Sequence, residues 1–211
     1  MTDDTSPVIH VVDDDPAFRR SMVFLLESVD WRVACHASAE EFLAACPAPP
    51  ADFGALVLDI RMPTMSGLEL QQQLHRRGWR PPIVFVTGHG DVELAVTAMK
   101  QGASDFLQKP FRDQAMLDAV AVAVRRGTEA RLEQARREDA RLVIERFSPR
   151  EREVARLVAL GLPNKLVARE LDISEKTVHV HRQHVMEKAG IASAAELARL
   201  MLRADPASLD A

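Results

Sequence analysis

The 211-residue sequence is poor in cysteine, in long apolar runs and in surplus positive charge. Its two cysteines, Cys35 and Cys46, have no metal-ligand spacing and form no disulfide framework. They read as small buried hydrophobes in a reducing compartment. The segment Met1-Thr2-Asp3-Asp4-Thr5-Ser6-Pro7 has neither the basic start nor the apolar core of a signal peptide. No apolar run approaches the ~20 residues of a membrane span. A soluble cytoplasmic protein with no membrane partner is expected. No internal repeat or low-complexity segment stands out. A formal net charge of −4 predicts no general attraction to nucleic acid. That average conceals an asymmetry, because residues 1–124 carry a net −7 and residues 125–203 a net +5. An acidic part joined to a basic part suggests two domains with different partners.

The acidic part alternates short β-branched runs with helix-spaced segments. Val8–Val12, Arg32–His36, Ala55–Leu58, Ile83–Val86 and Ser104–Leu107 read as strands. Ala17–Val29, a short helix capped by Ser38, Ser66–Arg77, Val92–Gln101 and Arg112–Arg126 read as helices. Such alternation predicts a parallel sheet covered on both faces, with right-handed crossovers leaving few topologies. Four of the runs end in polar chemistry: Asp13-Asp14-Asp15, Asp59, Thr87, and Lys109-Pro110 after Gln108. In a parallel sheet these ends share one crevice. Adjacent acids suit a hard cation that keeps several waters, which favours Mg²⁺, with Mn²⁺ as a substitute. Asp59 would then accept a phosphoryl group, Lys109 would offer a point charge and Thr87 a hydroxyl. Singly, each residue could be an ordinary turn, cap or solvated loop residue; jointly, at four strand ends, they point to a site.

Val11-Val12-Asp13-Asp14-Asp15, Leu58-Asp59-Ile60-Arg61-Met62-Pro63, Val86-Thr87-Gly88-His89 and Asp105-Phe106-Leu107-Gln108-Lys109-Pro110-Phe111 resemble the receiver domains of two-component response regulators. The resemblance covers residues 8–125. It implies a flavodoxin-like, doubly wound parallel sheet with strand order 2-1-3-4-5. It further implies Asp59 as phosphoacceptor, Asp13 and Asp14 as the acidic pair serving Mg²⁺, and the Arg61 carbonyl as a further ligand. By the same resemblance Thr87 and Lys109 contact the phosphoryl group, Phe106 takes the place of a rotating aromatic switch, and the Lys109–Pro110 peptide is cis.

Residues 125–147 are rich in Arg, Glu and Ala, with Gly127 and no proline. A solvated helical linker is expected, although the spacing of Leu132, Ala135 and Leu142 leaves pairing with a second chain open. Residues 148–203 show no strand pattern. Ser148-Pro149-Arg150-Glu151 starts a helix with a capping box. Pro163-Asn164 opens a second, Ser174 caps a third, and Ser193–Arg203 forms a fourth. On the third helix, Lys176, His179, Val180, Gln183 and Glu187 fall opposite a core-like arc of Val178, Val185 and Ala189, with Arg182 at its margin. A helix, a tight turn and a polar second helix make the pattern of a major-groove reader. Gln183 would read adenine, and Lys176 or Arg182 would reach phosphates. An ordinary solvated helix face gives the same angular sorting. His179, His181 and His184 lack a completing ligand, which argues against a metal there.

Ser148-Pro149-Arg150-Glu151, Gly161-Leu162-Pro163-Asn164-Lys165, Thr177-Val178 and His181-Arg182 resemble the all-α, four-helix DNA-binding domain of LuxR/FixJ-type regulators. This resemblance implies base-facing roles for His179, Val180 and Gln183. It implies DNA-backbone roles for Lys165, Lys176, Arg182 and Lys188, and a dimer contact for the last helix. The domains expected are a receiver over 1–124, a helical linker over 125–147 and a DNA-binding domain over 148–211. The expected partners are a sensor histidine kinase, promoter double-stranded DNA and a second copy on phosphorylation, with RNA polymerase as a further candidate. Two other classes stay open. A phosphotransferase enzyme would carry an acid two residues after its nucleophile, where Arg61 stands here. A phosphorylation-independent docking protein would bind a protein through its carboxy-terminal helices.

Overall fold

The computed structural model describes residues 6–88 and 92–209. The chain divides into two compact units, one ending at Ala130 and one beginning at Arg131. The first unit is built from β1 (Val8–Val12), α1 (Pro16–Glu27), β2 (Arg32–His36), α2 (Ala39–Ala45), β3 (Phe53–Asp59), α3 (Gly67–Arg76), β4 (Ile83–Thr87), α4 (Val92–Lys100), β5 (Asp105–Gln108) and the first part of α5 (Asp113–Glu145). Its strands are all parallel and ordered β2-β1-β3-β4-β5. Strand alternation sorts the side chains into two cores. Ile9, Val11, Ala55, Val57, Val84 and Val86 face α1 and α5, where Met22, Leu26, Met116 and Val120 meet them. Val12, Leu56, Leu58, Ile83 and Phe85 face the other way, toward Phe42 of α2, Leu70 and Leu74 of α3, and Ala98 of α4. Strands buried on both faces need near-continuous apolar runs, which is why β3 and β4 were so plain in the sequence.

The order is the one expected, and only some boundaries differ. Asp59 is the last residue of β3 rather than the first after it, and β5 runs one residue later than its apolar pattern suggested. Cys46 is buried as expected, but Cys35 is exposed. Beneath α2 lies a polar pair the sequence did not announce. His10 of β1 and His36 of β2 are both buried and share a hydrogen bond of 3.0 Å between Nδ1 and Nε2. Their rings stack, with Phe42 and Phe53 packed around them.

α5 is a single helix of 33 residues. Gly127 lies in its interior because a Cβ there would stand 2.8 Å from Pro82 Cγ and 3.4 Å from the Gly54 carbonyl oxygen. Beyond it, residues 128–139 are almost wholly exposed, as a solvated linker requires. The final turns are solvated on one face only. Ala140 is buried, and Phe147 lies in the second unit's core with Val143 and Ile144 packed against it.

The second unit adds α6 (Pro149–Ala159), α7 (Asn164–Leu171), α8 (Glu175–Ala189) and α9 (Ala194–Ala204). The Ser148–Glu151 capping box forms as expected. Asp172, at a left-handed φ of 51°, ends α7 and lets the chain turn through Ile173 into Ser174, the N-cap of α8. The core joins Val154, Leu157 and Val158 of α6 to Val167, Val178, Val185 and Leu197.

Candidate functional site

Four strands deliver polar side chains to one end of the sheet. Asp13 follows β1, Asp59 closes β3, Thr87 closes β4, and Lys109 follows β5. Asp13, Asp59 and Thr87 are buried, Thr87 completely. Lys109 ties the set together. Its Nζ donates to Asp13 Oδ2 at 2.7 Å and to Asp59 Oδ1 at 3.1 Å. The Lys109–Pro110 peptide is cis.

Each acid is also held by backbone. The Arg61 N–H donates to Asp59 Oδ2 at 2.6 Å, and the Asp15 N–H donates to Asp13 Oδ1 at 2.8 Å. The three consecutive acids therefore divide their work. Asp13 points into the crevice, Asp14 stays exposed, and Asp15 caps α1 by accepting from the Ala17 N–H. Burial pushes the Asp59 carboxyl above the usual carboxylate range, with Asp13 adding to the rise, although Lys109 and the Arg61 N–H offset part of it. Burial alone would lower the Lys109 pKa, but the two carboxylates outweigh it and hold the ammonium above the ordinary lysine value. A buried, more basic carboxylate beside a fixed cation is a nucleophile for a phosphoryl group.

These same atoms suit a hard cation. Asp13 and Asp59 converge, since one ammonium reaches both, and the donors are all oxygens. Among the described residues no three Asp, Glu, His or Cys side chains form a ready ligand group, and Asp14 lies exposed at the rim. Mg²⁺ keeps several waters and takes one or two carboxylates, so the crevice fits it. Phe106 is half-buried against the α2–α4 core, paired in register with Phe85. His89, part of the expected motif, lies outside the described residues.

Two contributors escaped the sequence reading. A Cβ on Gly67, the first residue of α3, would lie 2.3 Å from the Asp59 carbonyl oxygen, so only glycine lets α3 start against the end of β3. Phe18 of α1 places its ring under Lys109, with Nζ 3.8 Å from the ring centroid. A glycine directly after an N-cap serine was the one available signal for the first. Phe18 read only as an apolar helix position.

In the second unit, α8 presents Lys176, His179, Val180 and Gln183 to solvent, and Lys165 is exposed on α7. Arg182 Nη1 donates to Asn164 Oδ1 at 3.1 Å, and Gln183 Nε2 donates to Glu187 Oε1 at 3.0 Å. A groove of about 360 Å³ between α7 and α8 is lined by Asn164, His179, Arg182, Gln183 and Met186. Lys188, given a DNA-backbone role by the sequence resemblance, has intramolecular partners here. Its ammonium is taken up by buried Glu151 Oε2 at 2.6 Å and by the Arg146 carbonyl at 3.2 Å, so it clasps α8 to the start of α6.

Comparison with known proteins adds the decisive observation. The family described as response regulator receiver domain matches residues 9–121, and the luxR family of bacterial regulatory proteins matches residues 145–201. The chain belongs to the response regulator family. It is a two-component transcriptional regulator that joins a receiver to a LuxR-type DNA-binding domain. It is 47% identical to the transcriptional regulatory protein FixJ of Azorhizobium caulinodans, covering 96% of this chain and 95% of that one. It is 40% identical to the response regulator protein TodT of Pseudomonas putida strain F1, over 95% and 87% of the two chains. Among solved structures, the response regulator StyR aligns with a TM-score of 0.81 at 42% identity, over 92% of this chain and 98% of StyR. Full-length FixJ from B. japonicum aligns with a TM-score of 0.58 at 43% identity, over 94% and 97%. No described helix of this regulator is long and apolar enough to cross a membrane.

Proposed function

We propose that Asp59 is the phosphoacceptor of this response regulator and that its phosphorylation controls dimerisation and promoter binding. The observation that supports this most is the Lys109 ammonium held between the Asp13 and Asp59 carboxylates, at 2.7 and 3.1 Å, across three strand ends. An Asp59 oxygen attacks the phosphorus of a phosphohistidine on a sensor kinase. A P–O bond forms as the P–N bond breaks, and the imidazole leaves. Asp13, Asp14, Asp59 and the Arg61 carbonyl would hold Mg²⁺, or Mn²⁺ in its place. When bound, the cation offsets repulsion between the acid and the incoming phosphoryl group. Lys109 supplies positive charge to the transferred oxygens and Thr87 a hydrogen bond. Phe106 carries the change to the neighbouring face of α4 and α5. Small phosphodonors would serve in the kinase's absence, with slow self-hydrolysis.

The output is read by the carboxy-terminal helices. We assign the receiver to 1–124, the connection to 125–147 and the DNA-binding domain to 148–211. α8 enters the major groove with His179, Val180 and Gln183 toward base edges, while Lys165, Lys176 and Arg182 contact phosphates. A phosphorylated dimer engages two half-sites in the cytoplasm, where RNA polymerase is a further partner. The test adds acetyl phosphate and Mg²⁺ to wild type and to Asp59→Asn. Wild type should gain a phosphoryl group, dimer content and promoter affinity. An equal response from Asp59→Asn would overturn the assignment.

A further inference from the structure

We infer that Phe18 is a positioning residue for phosphoryl transfer, its ring face holding the Lys109 ammonium at the crevice while the lysine's two acid partners change chemical form. The inference rests on Asp59 being the acceptor. Asp15 caps α1 and Pro16 begins it, so Phe18 sits in the first turn and its direction is fixed by the same backbone that orients Asp13. The Phe18 centroid lies 3.8 Å from Lys109 Nζ, well inside the ~6 Å reach of a cation–π contact. The edge of a second ring braces it. Phe111, two residues beyond Lys109, meets Phe18 nearly perpendicularly at 6.1 Å. Phe18 therefore grips the loop after β5 on both sides of the cis peptide. The next residue, Arg19, donates to the Asp13 carbonyl, so the opening of α1 steadies both the acid and the lysine.

The chemistry explains why a ring is useful there. Lys109 has three donors, and Asp13 and Asp59 account for two. Phosphorylation turns the Asp59 carboxylate into an acyl phosphate, and a bound cation competes for Asp13. Both anionic partners of the lysine are thus altered during the reaction. The ring is neutral, forms no bond and loses none, so its attraction for the ammonium persists from start to finish. A leucine at position 18 would fill similar space but offer no negative face.

The test uses the full chain with Phe18→Leu, which keeps apolar bulk, and Phe18→Tyr, which keeps the ring face. In metal-free protein, the Lys109 Hε signals should be ring-shielded in wild type and Phe18→Tyr, and should return to ordinary lysine positions in Phe18→Leu. With acetyl phosphate and Mg²⁺, Phe18→Leu should be phosphorylated about 3- to 10-fold more slowly, and Phe18→Tyr should recover most of the rate. Unmoved Lys109 signals in Phe18→Leu, a rate equal to wild type, or equal slowing in both variants would each overturn the role of Phe18 alone. Failure of wild type to accept phosphate at Asp59 would instead overturn the acceptor reading and this role with it.

Discussion

Two buried histidines make the receiver sensitive to acid at a place the phosphoryl chemistry does not touch. Burial, with His36 alongside, lowers the His10 pKa to about 4, and burial also lowers that of His36. The carboxylates facing the pair, Asp52 toward His10 and Glu41 toward His36, pull in the opposite direction without prevailing. The folded state therefore binds fewer protons than the unfolded chain below pH ~6.5. Stability from this pair is present in full above that pH and is lost as pH falls toward 4. For His10 the loss between pH 7 and 4.5 amounts to about 2–3 kcal/mol. Denaturant midpoints across this range should fall more steeply for wild type than for His10→Gln; parallel slopes would exclude the pair as the cause.

The elements are spaced by glycines whose missing side chains do the positioning. Gly127 interrupts a good helix former, and alanine would normally improve an exposed helix interior by about 1 kcal/mol. Here alanine would press on Cγ and Cδ of Pro82, whose ring cannot swing away. Gly127→Ala should therefore lower the receiver's melting temperature despite its better propensity, by a ΔΔG of about 1–2 kcal/mol; a rise on calorimetry would show that α5 has room to shift. The same positions mark what sequence could and could not disclose. Strand order and the helix sequence were legible because buried parallel strands and amphipathic helices leave periodic apolar signatures. Asp13, Asp59, Thr87 and Lys109 were legible because each ends such a run. Phe18, Gly67 and the Glu151–Lys188 clasp were not, since a ring beneath an ammonium, a close backbone approach and an ion pair between α6 and α8 exist only once the chain is folded. The continuation of α5 through residues 125–145 was only half legible, because its charged stretch hid the apolar positions of the last turns.

For the whole molecule, charge is divided by task. Residues 1–124 carry a net −7, whereas residues 125–203 carry +5, the sign that suits a DNA backbone. Each DNA-binding domain should release counterions in proportion to the phosphates it neutralises. If phosphorylation pairs two such domains on one promoter, the slope of log affinity against log salt should about double. Titration of promoter fragments at several salt concentrations, with and without acetyl phosphate, measures this. An unchanged slope with higher affinity would mean that a single domain binds in both states.

The lysine shared by two acids gives the resting receiver its own counterion. Charge in the crevice is already partly balanced by that ammonium, so a divalent ion bound there would have to share Asp13 and Asp59 with a tethered cation. Occupancy by such an ion would then be a competition with Lys109, which any change in the lysine's grip would tilt.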